Sequence, residues 1–181
     1  MFRLFFALRP PAPVRDALSD LQDGVGPARW QDDDQLHLTL RFVGEVERPV
    51  VEELADALTR LRHPAVEARV AGVGAWGGRG RPGALWAGVE PREPIAALHR
   101  KLDASCVRAG LEPERRAFQP HVTLARLPRG ASVDGPEVAG WRARHAGFRS
   151  EPFTFTHAVL YLSRLGHTGA AYEPVVEAKL A

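Results

Sequence analysis

A strand-like tetrapeptide occurs twice in this chain. His37-Leu38-Thr39-Leu40 returns 84 positions later as His121-Val122-Thr123-Leu124. The sequence around it repeats as well. In the first half, Phe2 to Leu8 reads as a strand, and Pro10-Pro11 opens a helix with Val14, Leu18 and Leu21 at helical spacing, stopped by Gly24 and Gly26. Leu36 to Val43 is then a strand ended by Gly44, Val50 to Leu61 a helix, and Ala65 to Val73 a strand. The second half gives a strand at Ala84 to Val89, a helix at Pro94 to Ala109 stopped by Gly110, and a strand at His121 to Leu127. A weaker helix comes next near Gly135 to His145, then one long alternating strand from Phe153 to Leu162 and a closing strand from Tyr172 to Lys179. An internal duplication is the simplest account of this rhythm. It predicts lobes of about residues 1–83 and 84–181 within one domain, with strands free to exchange between their sheets.

With 181 residues, 45% of them hydrophobic, the chain can bury a core without disulfides or metals. Cys106 is the only cysteine, so it forms no intramolecular disulfide and no cysteine-based metal site. No apolar run approaches the ~18 residues of a membrane span, and the start, Phe2 to Leu8, is too short for a signal sequence. These features predict a soluble, cytoplasmic protein with no membrane partner, and a monomer is the expected state. The formal charge is only +2, but the basic residues are almost all arginine, Lys101 and Lys179 being the two lysines. A planar guanidinium matches phosphate bidentately, although the same bias arises from a GC-rich coding sequence. The glycine-rich run from Gly74 to Gly83 reads as a flexible surface loop between the halves, with a flap beside the site as one role. It is no phosphate loop, because no Gly-Lys-Ser/Thr is present and Pro82 removes a backbone donor.

In a strand, residues i and i+2 share a face. His37 therefore projects with Thr39, and His121 with Thr123, while Leu38, Leu40, Val122 and Leu124 point into the core. If a pseudo-two-fold axis relates the halves, the pairs face each other across a cleft. Two facing imidazoles suit hydrolysis of a cyclic phosphate. One, neutral, takes the proton of the attacking water, and the other, protonated, delivers one to the departing ribose oxygen. Threonine hydroxyls and an arginine would hold the non-bridging oxygens. Ring strain already favours opening, so no metal or other cofactor is called for.

Two stretches also resemble a known family. Trp30 and the run Leu36 to Val46 look like the first motif of the two-histidine (2H) phosphoesterases, and Arg115 to Arg126 looks like the second. The branch most similar is the bacterial and archaeal RNA 2',3'-cyclic phosphodiesterases, formerly called 2'-5' RNA ligases. Arg3 to Leu8, Leu160 to Ser163, Gly169 and Tyr172 match it too, so the resemblance covers nearly the whole chain. It implies an α+β, bilobal fold, with two similar lobes of antiparallel sheet and helices around a central cleft. It implies hydrolysis of a terminal 2',3'-cyclic phosphate on RNA or an oligonucleotide to a 2'-phosphate. It further implies His37 as general acid, His121 as general base, and Thr39 and Thr123 on phosphate oxygens. Arg126 is placed near the phosphate by the family pattern, although i+3 from Thr123 lies on the opposite face of an unbroken strand.

Other residues weigh less. Phe42, at i+5 from His37, is expected in the core, with base stacking the lesser role. Trp30, Trp76 and Trp86 could stack a base, although tryptophan is more often structural, and Phe5 or Phe6 could line the cleft. His63, His99, His145, His157 and His167 lack the threonine partner, and packing suffices for Ser163 and Tyr172. Cys106 is expected to be a small core residue. The alternatives to hydrolysis are 2'-5' ligation of RNA ends, turnover of a small cyclic nucleotide, and an RNA-binding module that has lost catalysis.

Overall fold

The computed structural model describes residues 1–78 and 80–181, so Arg79 of the glycine-rich run lies outside the described residues. The strands are β1 (Phe2–Leu8), β2 (Arg29–Trp30), β3 (Leu38–Val46), β4 (Val66–Gly78), β5 (Arg81–Glu90), β6 (His121–Leu127), β7 (Phe153–Phe155), β8 (His157–Gly166) and β9 (Gly169–Lys179). The helices are α1 (Ala12–Ser19), α2 (Arg48–Thr59), α3 (Arg92–Arg108) and α4 (Pro136–His145), with a 3-10 turn at Asp33–Gln35. This is the expected α+β architecture.

All described strand pairings are antiparallel, in the order β7-β4-β5-β6-β3-β1-β8-β9, with β2 added to β6. The order is nearly a palindrome about β6 and β3, the two histidine strands. These meet at a single registered pair, Leu38 with Val122. The two residues hold equivalent positions in the repeat, so the pseudo-two-fold axis passes between them. Each side of the sheet draws strands from both halves of the chain: β4 lies beside β5, and β8 beside β1.

The helices form because their apolar residues recur on one face. Leu54 and Leu58 of α2, and Ile95, Leu98, Leu102 and Cys106 of α3, are buried in the common core. Leu38, Leu40, Val122 and Leu124 enter that core from the sheet, each at most 1% exposed. Side-chain alternation therefore leaves the opposite face of β3 and β6 for the histidines and threonines.

Three expectations about the strands need correction. Gly74 to Gly83 is not a long loop: Gly74 to Gly78 belong to β4 and Arg81 to Gly83 to β5, paired at Gly78–Arg81, with Gly80 in the turn between them. Glycine marks close approach here, since a Cβ on Gly77 would lie 2.4 Å from the Cα of Gly83. Gly44 does not end β3, which runs on to Val46. With φ of +87°, Gly44 passes the chain through a register shift against β1. Phe153 to Leu162 is not one strand. It breaks at Thr156, because β7 pairs with β4 on one side of the sheet and β8 pairs with β1 on the other.

Candidate active site

His37 immediately precedes β3, and His121 opens β6. Their local settings are near copies. The Nδ1 of His37 lies 2.7 Å from the Gln35 carbonyl, and the Nδ1 of His121 lies 2.7 Å from the Gln119 carbonyl. A carbonyl only accepts, so Nδ1 carries the hydrogen in both rings, and each Nε2 presents its lone pair to the cleft. The repeat therefore extends two residues ahead of each histidine, as Gln-x-His-x-Thr. The Thr39 hydroxyl donates to Nε2 of His37 at 3.0 Å. Extending the Leu38–Val122 register by one residue sets His37 beside Thr123 and Thr39 beside His121. The two histidines are then diagonal neighbours on one face, ~7–8 Å apart.

From the histidine onward, both strands show the same burial sequence: half-buried, buried, half-buried, buried, buried, exposed. Strict alternation would not give it, and a β-bulge does. In the β1–β3 ladder, Phe6 faces Arg41 and Ala7 faces Thr39, so Leu40 is the extra residue. In the β5–β6 ladder, Leu85 faces Ala125 and Trp86 faces Thr123, so Leu124 is the extra residue. A bulge reverses the phase of every later residue in its strand. Arg126 is thereby returned to the face of Thr123, and Phe42 to the face of Thr39. The expectation that Phe42 lies off the catalytic face is thus overturned: it is 42% exposed and lines the cleft. Under the pseudo-symmetry, Phe42 and Arg126 are equivalents, one aromatic and one cationic.

The cleft has two cavities that share Thr39, Phe42 and Arg126. One, of about 640 Å³ on the His121 side, includes Thr123, Trp76 and Phe118 in its walls. The other, of about 520 Å³ on the His37 side, includes Arg3, Phe5, Arg29 and Tyr172. Aromatic rings hold both imidazoles. Phe5 and Tyr172 lie 4.8 and 5.1 Å from His37, and Trp76 stands edge-on to His121 at 4.4 Å. Burial drives the His37 imidazole down from 6.5 to about 4, with Arg126, His121 and Arg9 adding to the fall and the Gln35 carbonyl opposing it. Burial lowers His121 as well, with Arg126 adding to the fall. Both shifts favour the neutral ring.

Several residues at the site carried no sequence signal. His99, which has no threonine partner, sits behind the bulge. Its Nδ1–H donates to the Leu40 carbonyl at 2.6 Å, and Phe118 stacks on its ring at 4.4 Å. Arg41 is 8% exposed, pairs with Asp103 at 2.6 Å, and reaches the Glu112 carbonyl. Asp103 in turn accepts the Glu114 amide, so α3 ties β3 to the segment that leads into His121. Arg3, Arg29 and Tyr172 are visible as cleft residues only in the folded chain. Trp30 packs against the buried Trp141, and Phe6 is fully buried. Cys106 is a core residue as expected, and burial pushes its thiol up to about 11. Among the described residues, no three His, Cys, Asp or Glu side chains converge on one point, and no helix is long and apolar enough to cross a membrane.

The sequence profile of the LigT-like phosphoesterases matches twice, over residues 8–86 and 88–172. An Aeropyrum pernix RNA 2',3'-cyclic phosphodiesterase is 33% identical over 117 residues, covering 64% of this chain and 65% of that protein. A Thermus thermophilus RNA 2',3'-cyclic phosphodiesterase is 38% identical over 158 residues, covering 81% of this chain and 79% of that protein. The chain thus spans just under two thirds of the first relative's length and rather more of the second's. Among solved structures, Escherichia coli LigT in complex with 3'-AMP superposes with a TM-score of 0.81 at 28% identity, covering 99% of this chain and 98% of that one.

Proposed function

The chain belongs to the LigT-like phosphoesterases, and from that premise we propose that it is an RNA 2',3'-cyclic phosphodiesterase whose chemistry is run by His37 and His121. The observation that carries this reading is the duplicated Gln-x-His-x-Thr strand. It sets two imidazoles of one fixed tautomer diagonally on one face, with Arg126 returned to that face by a bulge.

In the proposed reaction, Nε2 of His121 removes a proton from water as the water oxygen bonds to phosphorus. On the opposite side the P–O3' bond breaks, and the Nε2–H of His37 protonates O3'. The products are a 2'-phosphate and a free 3'-hydroxyl. Thr39 and Thr123 donate to the non-bridging oxygens, and Arg126 offsets the charge that grows on them. His37 is the group whose proton needs the substrate: a phosphate charge ~4 Å away, at an effective dielectric near 20, favours the imidazolium by ~4 kcal/mol, or about three pKa units. That lifts His37 from about 4 to ~7 in the complex. Acid and base are both side chains, so the proposed reaction proceeds without a metal, in a cytoplasmic monomer of one domain acting on RNA ends.

The test is a short RNA ending in a 2',3'-cyclic phosphate, incubated in excess EDTA. A 2'-phosphate terminus is expected, with turnover reduced by about 10²–10⁴-fold in His37→Ala and in His121→Ala. Unchanged turnover in either variant would sink the two-histidine mechanism, and a 3'-phosphate product would reverse which ribose oxygen leaves. A second reading, ligation, draws on the 640 Å³ cavity on the His121 side. That space exceeds what one water needs, and an RNA 5'-hydroxyl seated there would attack in its place. A 2'-5' linkage formed with added 5'-hydroxyl RNA checks it.

A further inference from the structure

Three arginines converge on the His37-side cavity, and nothing in its walls balances them. Arg3, Arg29 and Arg126 all line it, and no Asp or Glu does. Among the described residues, none of the three forms an ion pair or a side-chain hydrogen bond. Most other arginines do find such partners: Arg9, Arg15, Arg41, Arg60, Arg100, Arg115, Arg116, Arg144, Arg149 and Arg164 all pair with carboxylates. Arg29 and Arg126 are directly opposite each other in the β2–β6 ladder. Like charges so placed destabilise a strand pair unless an anion lies between them. All three share the wall of this cavity with Tyr172. Arg3 also lies over the Phe42 ring at 5.5 Å, beside the aromatic wall of Phe5 and Phe42.

Arg126 is shared with the other cavity and belongs to the reacting phosphate. That leaves Arg3 and Arg29 for a second anion. Resting on the phosphodiesterase reading, we propose that Arg3 and Arg29 bind the phosphodiester on the 5' side of the terminal nucleoside. In the proposed reaction the leaving ribose oxygen faces His37, so the nucleoside occupies the His37-side cavity and its 5'-phosphate reaches these two arginines. The site therefore selects the end of a polynucleotide over a free cyclic mononucleotide. Arg3 and Arg29 are specificity residues and do not touch the reacting atoms.

The test compares substrates that differ by one phosphate: adenosine 2',3'-cyclic phosphate with a free 5'-hydroxyl, and the same compound bearing a 5'-phosphate. The wild type is expected to favour the second by about tenfold or more in kcat/KM, chiefly through KM, as a charge-assisted contact implies. In Arg29→Gln, and further in Arg3→Met/Arg29→Gln, the ratio between substrates falls toward one, and Arg29→Lys restores part of it. Loss of activity on both substrates with the ratio kept would overturn the proposal. Calorimetric binding of adenosine 2'-phosphate and adenosine 2',5'-bisphosphate, each at two salt concentrations, tests the subsite without turnover. Tighter binding of the bisphosphate, with a steeper salt dependence that Arg29→Gln reduces and Arg3→Met/Arg29→Gln abolishes, supports it. Equal affinities would overturn it even with hydrolysis intact, whereas a bisphosphate preference with no hydrolysis would leave the subsite standing and remove the phosphodiesterase reading.

Discussion

The depressed histidines make pH the most informative perturbation. Burial takes His37 to about 4 and lowers His121 from the ordinary imidazole value, so both favour the neutral form in the free enzyme. The proposed mechanism needs one proton on the pair. A lowered imidazole pKa means the charged form is lost as pH rises through it, so above about 6.5 the free enzyme must take up a proton to react. Each pH unit above the upper free-enzyme pKa then costs tenfold in kcat/KM. Restoring His37 by about 2.5 units requires ~3.4 kcal/mol, and the ~4 kcal/mol from the bound phosphate covers it. The complex therefore keeps its proton to about pH 7. The expected result is a kcat/KM maximum below pH 6.5 and a kcat maximum displaced upward by one unit or more, the apparent values belonging to the coupled pair. The assay is steady-state hydrolysis of a 2',3'-cyclic dinucleotide between pH 4.5 and 9 at constant ionic strength. Calorimetry of a phosphate-bearing product in two buffers would show uptake of about half a proton at pH 7, falling away above it. A kcat/KM flat from pH 5.5 to 8.5 would refute the reasoning, because no proton would then be gained on binding.

The same geometry bears on three other perturbations. A substrate with sulfur in place of O3' leaves without protonation, so it should rescue His37→Ala to within about tenfold of wild type while His121→Ala stays inactive; the opposite pattern exchanges acid and base. Arg126→Met removes a positive charge that lowers both imidazoles, so the alkaline limb of its kcat/KM profile should move to higher pH while kcat falls. An unmoved limb would place Arg126 away from the pair. Breaking the Arg41–Asp103 pair, in which Arg41 is buried and Asp103 half-buried, by Asp103→Leu should cost ~3 kcal/mol in urea unfolding, and adding Arg41→Met should recover much of it. A loss below ~1 kcal/mol would mean the pair is solvated.

The chemistry was legible in the sequence because it is local. His-x-Thr places two side chains on one face of any strand, and duplication supplies the second copy. Helices α2 and α3 were equally plain, since an apolar stripe at helical spacing announces its buried face. The features that the sequence withheld depend on partners far along the chain. Phe153 to Gly166 alternates across Thr156 without an internal Gly or Pro, and only the separate docking of β7 on β4 and of β8 on β1 divides it. Glycine misled in the opposite direction at Gly77 and Gly44, where it permits close approach or a positive φ within a ladder.

The sequence by itself determined the proposed reactive pair, the pairing of each histidine with its threonine, and the repeat that brings the two strands together. Only the tertiary structure decided which further residues join them. An extra residue at Leu40 and another at Leu124 turn Phe42 and Arg126 onto the catalytic face. Strands β1, β2 and β9 then carry Arg3, Arg29 and Tyr172 to the same cleft. The physical reason is that side-chain direction in a strand is set by counting residues against a partner, and a single chain read alone has no partner to count against.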